Sequence, residues 1–303
     1  MIHSVTVTNY RGEVLELELR SPEKSGFFTA GIEGLGPVKA TINSTENTTG
    51  DGERFNSARV GTRNIVLSLF FDGIDVEAKR QETYKFFPVK KNITLLVKTD
   101  HRNVDIKGYV ESNEPTIFSS LEGTQISIIC PDPYFYKAGE DAITTVNFYG
   151  IEPAFEFPFS NESLDDPLLE FGKIVENVVA DVFYEGTSEA GVILTMRATG
   201  DATNVTIYNM DTREFFKIDT TKLQQMTGSA IKEFDEITIN TITGKKSVTL
   251  LRDGKEYNIL NCVDRQSSWF QLTNGINTFS YTSDTGSKNL QFIMEYNTKY
   301  EGV

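Results

Sequence analysis

The side chains most often recruited for proton transfer or nucleophilic attack are scarce in these 303 residues: two histidines, His3 and His101, and two cysteines, Cys130 and Cys262. Acid–base and covalent catalysis need such groups within hydrogen-bond reach of one another, and these four are scattered along the chain. No zinc-ligand spacing, nucleophile elbow or Walker pattern occurs. Gly31, Gly34 and Gly36 lack the order of a dinucleotide fingerprint and read as positions of close backbone approach. Carboxylates are abundant, and Asp165-Asp166 or Asp235-Glu236 has the composition of a glycosidase pair. Adjacent acids near turns are ordinarily solvated or cap helices, so the chain offers no catalytic, cofactor-binding or metal-binding residues and is not expected to be an enzyme. Two isolated thiols in so long a chain read as small buried hydrophobes.

Binding chemistry is constrained by charge. The net charge is −14, with 15 basic against 18 acidic residues over 1–136 and 14 against 25 over 137–303. Such a surface repels phosphate and has no footprint for gripping nucleic acid or an anionic membrane. The first eight residues alternate as a strand does and carry no signal-peptide pattern, and no stretch approaches the roughly 20 apolar residues of a membrane helix. Folding in a cytoplasm, without membrane insertion, is expected. Trp269, the sole tryptophan, lies in Ser267-Ser-Trp-Phe270; exposed on a sheet it could stack on a sugar, whereas beside Phe270 it would ordinarily pack inward.

The elements that position these residues are mainly strands. Val5 and Val7, then Leu15, Leu17 and Leu19, alternate with polar residues around Asn9-Tyr-Arg-Gly12 and predict a hairpin. Ile65–Phe71 is a continuous apolar run, predicted as a strand buried on both faces. Asp75 can cap a helix over 76–87 that places Val76, Arg80, Tyr84 and Phe87 on one side and ends at Pro88; its Lys79, Arg80 and Lys85 read as a solvated face. Ile93–Thr99 and Val104–Val110 follow as paired strands. Between the first strands and this core, Thr41–Gly61 is polar and has almost nothing to bury until Phe55 and Val60. A loop of that length without regular structure is usually functional. It is expected to be an arm that orders against a partner, with Asn47, Asp51, Arg54, Phe55 and Arg59 as ring or partner contacts.

A seam falls at Ser120–Tyr136, where the buried strand Gln125–Cys130 meets Pro131 and Pro133, which remove two backbone donors, and then the aromatic anchor Tyr134-Phe-Tyr136. Two domains follow from this: 1–136, α+β with one helix, and 137–303, a β-sandwich preceded by an extended connector through Pro153, Pro158 and Pro167. Short strands at Val192–Met196, Val205–Tyr208, Phe215–Ile218, Ile237–Thr241, Ser247–Arg252, Lys255–Leu260 and Leu290–Tyr296 support the sandwich; Asp253-Gly254 predicts a type I′ hairpin, and Thr220–Asp235 reads as a loop.

The order of these motifs resembles the distal tail protein (Dit) family of long-tailed, siphovirus-type bacteriophages. The resemblance runs through Gly34-Leu-Gly-Pro37, Arg63-Asn-Ile-Val-Leu67, the helix from Lys79-Arg80 to Phe87-Pro88, Gly108-Tyr-Val-Glu111 with Glu114-Pro115, and Gln125 to Tyr136. In the second half it takes in Ile237-Thr-Ile-Asn-Thr241, Gly244-Lys-Lys-Ser247 and Ser268-Trp269. It implies a structural virion protein at the distal end of the tail. The N-terminal domain would build a hexameric ring, with a galectin-like or carbohydrate-module-like sandwich outside it. The implied partners are the tail tube protein, a tail-associated tip protein and receptor-binding proteins, with DNA passing through the ring without specific binding. The family supplies no catalytic residues. The rival reading is a carbohydrate-binding module used in adhesion to the host surface.

Overall fold

Strand-forming residues alternate with polar ones through most of the chain, and pairing those strands builds the molecule. The computed structural model describes residues 1–71, 75–118, 121–149, 151–153, 172–174 and 179–303. Asp165-Asp166 and nearly all of the proline-containing connector lie outside the described residues. Two units are present, Met1–Ala142 together with Lys299–Val303, and Ile143–Thr298. The division expected at 136/137 therefore falls six residues later, and the last five residues, expected in the second domain, return to the first unit.

The first unit contains β1 (Ile2–Asn9), β2 (Val14–Glu18), β3 (Phe27–Glu33), β4 (Ala40–Glu46), β5 (Glu53–Val60) and β6 (Arg63–Phe71), then α1 (Val76–Phe86), β7 (Asn92–Thr99), β8 (Asn103–Thr116), β9 (Gly123–Cys130) and β10 (Phe135–Lys137). The main sheet runs β2-β1-β7-β8-β9-β6-β3, with β10 beside β8. It curls until its edge strands β2 and β3 meet across the Pro22–Lys24 turn. Val5, Val7, Leu17, Ile65, Leu67, Val97, Ile126 and Ile128 fill the inside; each contributes about 1.5–3 kcal/mol by leaving water. Only one face of β6 is buried: Leu67 and Leu69 point inward while Phe70 is exposed, so the apolar run is not the two-sided strand expected. Helix α1 packs on β1, β6 and β8. Asp75 caps it by accepting from the Ala78 amide at 3.1 Å, and it buries Thr83 and Phe86, with Phe87 at its C-cap, whereas Tyr84 is exposed.

The second unit is a sandwich built on one core. Its first strand, β11 (Ile143–Tyr149), is followed by the short β12 (Ile151–Pro153), β13 (Gly172–Ile174), then β14 (Val179–Tyr184), β15 (Ala190–Gly191), β16 (Ile193–Ala198), β17 (Thr206–Asn209) and β18 (Glu214–Lys217). Helix α2 (Thr220–Thr227) precedes β19 (Glu236–Asn240), β20 (Ser247–Arg252), β21 (Lys255–Asn258), β22 (Gln271–Leu272), β23 (Gly275–Thr282) and β24 (Leu290–Asn297); β25 (Lys299–Tyr300) belongs to the first unit and pairs with β10. Sheets β11-β24-β16-β19-β20-β21 and β14-β23-β17-β18 face each other across Leu194, Met196, Ile207, Phe216, Phe279 and Phe292. Asp253 and Gly254, at φ 51° and 74°, make the predicted type I′ turn, with Arg252 opposite Lys255. The segment expected to be a loop holds α2. Asp219 accepts from the Thr221 and Lys222 amides, and Gly228 ends the helix at φ 88°.

Candidate assembly interface

The expected arm is regular rather than loose. Strands β4 and β5 form an antiparallel hairpin in register from Ala40↔Val60 to Glu46↔Glu53, with Asn56 as an extra residue on β5. Polar side chains hold it: Asn43 Nδ2 donates to Ser57 Oγ at 3.1 Å, and the bulged Asn56 donates to Thr45 Oγ1 at 2.6 Å. At the tip the Asn47 amide bonds to the Gly52 carbonyl, at 3.3 Å, and Gly52 stands at φ 89°. Every residue of both strands is exposed, so the hairpin has no core of its own and covers none of the unit that bears it.

Register sorts these side chains onto two faces. Ala40, Ile42 and Ser44 share one with Val60, Ala58 and Phe55, and Ile42 and Phe55 are 65% and 63% exposed. Thr41, Asn43 and Thr45 share the other with Arg59, Ser57 and Arg54. Of the predicted contact residues, Phe55 thus lies on the apolar face, Arg54 and Arg59 on the polar one, and Asn47 and Asp51 at the tip. Ile42 and Ala58 escaped sequence reasoning, and only the pairing register reveals that they and Val60 join Phe55. A two-stranded hairpin with one apolar face is marginal in water and wants a cover.

The remaining candidates are engaged internally. Lys79 Nζ donates to the Ser25 carbonyl and to Glu82, both at 2.8 Å; Lys85 pairs with Glu13 at 3.0 Å, and Arg80 with Glu122 at 3.5 Å. His3 Nε2 lies 2.6 Å from Asp100, which also holds the N-terminal ammonium. Cys130 and Cys262 are free, buried and in different units; burial pushes the Cys130 thiol up to about 11. Asp235 and Glu236 point to separate partners, Arg252 and Arg197. Trp269 is half-buried, edge-on to Phe216 with centroids 5.3 Å apart, and Lys246 Nζ sits 5.4 Å over its ring. Among the described residues no helix is long and apolar enough to cross a membrane.

Comparison with known proteins bears on both units. Residues 185–300 match the family model described as the siphovirus-type tail component, C-terminal domain. This part of the chain is similar to a siphovirus-type tail component domain. The whole chain shares its fold with the crystal structure of the SPP1 Dit protein, described as a paradigm of the hub adsorption apparatus in phages infecting Gram-positive bacteria. The TM-score is 0.63 at 12% identity, over 97% of this chain and 98% of that one. The phage P2 baseplate in its activated conformation with Ca gives a TM-score of 0.46 at 14% identity over the full length of both chains. No curated protein matches the chain in sequence. The matched stretch takes in β15 to β25, the greater part of the sandwich and the strand that returns to the first unit, and the arm lies outside it.

Proposed function

We propose that this chain is a Dit-like hub protein of a phage tail, six copies of which close into a ring at the distal end of the tail tube. The ring joins the tube to the tip or baseplate, and the sandwich units offer docking sites for receptor-binding proteins. The observation that carries the reading is the arm: a hairpin with an apolar face that its own unit leaves uncovered, available to lie on the next copy. Heterologous contacts of this kind close into rings when the rotation per step divides the circle. The similarity to a tail component domain supports the virion setting. The ring-building half carries no basic excess, 15 basic against 18 acidic residues over 1–136, which suits a bore through which DNA slides without the counterion release that would hold it.

Light scattering on the purified chain across a concentration series tests this. Six copies of the 34.0 kDa chain weigh about 204 kDa. A species of that mass is expected, and Ile42→Asp and Phe55→Asp should each abolish it without lowering the melting temperature, because both side chains are exposed. A chain that stays monomeric at every concentration, with tube and tip proteins present, would refute the ring.

A further inference from the structure

The arm leaves the first unit through a tight root. Gly34, at φ 83°, turns against β6 so closely that a Cβ there would lie 2.0 Å from the Asn64 carbonyl oxygen. Immediately before Asn64, Arg63 begins β6 and is 1% exposed. Its guanidinium donates to main-chain carbonyls only: Nη1 to Gly34 and Gly36, Nε to Pro133 at 2.6 Å, and Nη2 to Glu301 at 2.5 Å. The ring of Phe135 lies 4.6 Å from the guanidinium carbon. The Val303 amide adds a bond to the Leu35 carbonyl at 3.1 Å.

A buried arginine is ordinarily matched by a carboxylate, since removing the charge from water is costly. Here four of its five N–H donors gather carbonyls from three separate stretches: the arm root, the link from β9 to β10, and the returning segment 301–303. We infer that Arg63 and residues 301–303 form a clasp that fixes the direction in which the arm leaves the body, and that this direction decides whether copies close into a ring. The inference rests on the ring reading above. A closed ring needs the same angle at every step, so a loose root leaves association possible and closure impaired. Lysine cannot stand in, because its three donors share one nitrogen and cannot span the carbonyls.

Three variants of the full chain test the clasp: Arg63→Lys, Arg63→Met, and a truncation after Tyr300 that leaves Arg63 and the core in place. Hydrogen exchange of the ladder amides at the base of the arm, Ala40–Ile42 and Ala58–Val60, should speed up at least tenfold in each, while that of Ile93–Val97 in the core stays as in the wild type. Native mass measurement should show the single closed species replaced by a spread of open oligomers, its share falling about tenfold. If lysine restored both readouts, or the truncation changed neither, the clasp would be overturned and Arg63 would be a packing residue. A wild-type chain that never assembles would refute the ring reading instead, and the exchange measurement alone would then decide the clasp.

Discussion

The Arg252–Asp235 pair in the sandwich unit invites a quantitative test. Both side chains are almost fully buried, at 5% and 1% exposure. The contact is bidentate, Nε to Oδ1 at 2.8 Å and Nη2 to Oδ2 at 2.5 Å. Arg252 also donates to Ser229 Oγ at 2.7 Å, Thr227 Oγ1 at 2.9 Å and the Ala230 carbonyl at 2.6 Å, while Asp235 accepts from the Lys232 amide at 2.9 Å. The pair thereby ties the end of α2 and the chain after it to β20, and it holds the exposed Phe234 at φ 68°, where a bulky residue is strained. Removing one partner leaves a charge buried and unmatched, which costs about 3–5 kcal/mol. With a urea slope of about 2 kcal/mol/M, the midpoint for Asp235→Ala should drop by about 1.5–2.5 M. Replacing both, Arg252→Met with Asp235→Leu, removes charge and partner together and should cost far less than the two single changes summed. Trp269 is the only tryptophan and lies in this unit, so its emission follows this transition whatever the other unit does. A single-mutant shift below about 0.5 M, or a double mutant as weak as the sum of its parts, would refute the reasoning.

Two further outcomes follow from buried titratable groups. Cys130 is buried with its thiol pushed up to about 11, and burial also raises Cys262. A thiol reagent at pH 8 should therefore leave the folded chain unmodified and label two thiols once urea is added. Asp105 is raised chiefly by burial, so the folded state binds its proton more tightly than the unfolded chain does; this penalty is absent below the ordinary carboxylate range and present above it. Asp105→Asn should raise the calorimetric melting temperature at neutral pH, with the gain vanishing as the pH falls. Asp100 and Glu13 are lowered, by the N-terminal ammonium and by Asn9 respectively, and give the opposite trend: their stabilisation is lost as pH falls through the carboxylate range.

Local chemistry made much of this legible from sequence. Asp75 and Pro88 bound α1, Asp253-Gly254 sets its turn, and period-two alternation located β1, β2 and β24, whereas β3, β11, β14 and β23 went unread. What escaped depends on pairing across the chain. Nothing in Thr41–Gly61 shows that Ile42 and Phe55 share a face, because the extra Asn56 shifts the register between them. The helix at Thr220 carries its cap, Asp219, and its stop, Gly228, but only eight residues lie between, few enough for the polar composition to mask the period. The apolar run of β6 misled because Phe70, although aromatic, faces outward. Arg63 looked like one residue of a family motif; that its donors reach Glu301 across 238 positions is a tertiary fact.

The path of the chain has a practical side. Tyr136 pairs with Lys299 in the first unit, and Ile143 pairs with Asn297 in the second. The outgoing and returning stretches are therefore neighbours at both ends, about 5 Å apart as adjacent strands are. The first unit is already stitched shut around a point where foreign sequence can leave and come back without parting any of its strands. At the bench, a different module with adjacent ends should be able to replace the whole of 143–298 while the arm and its root stay as they are.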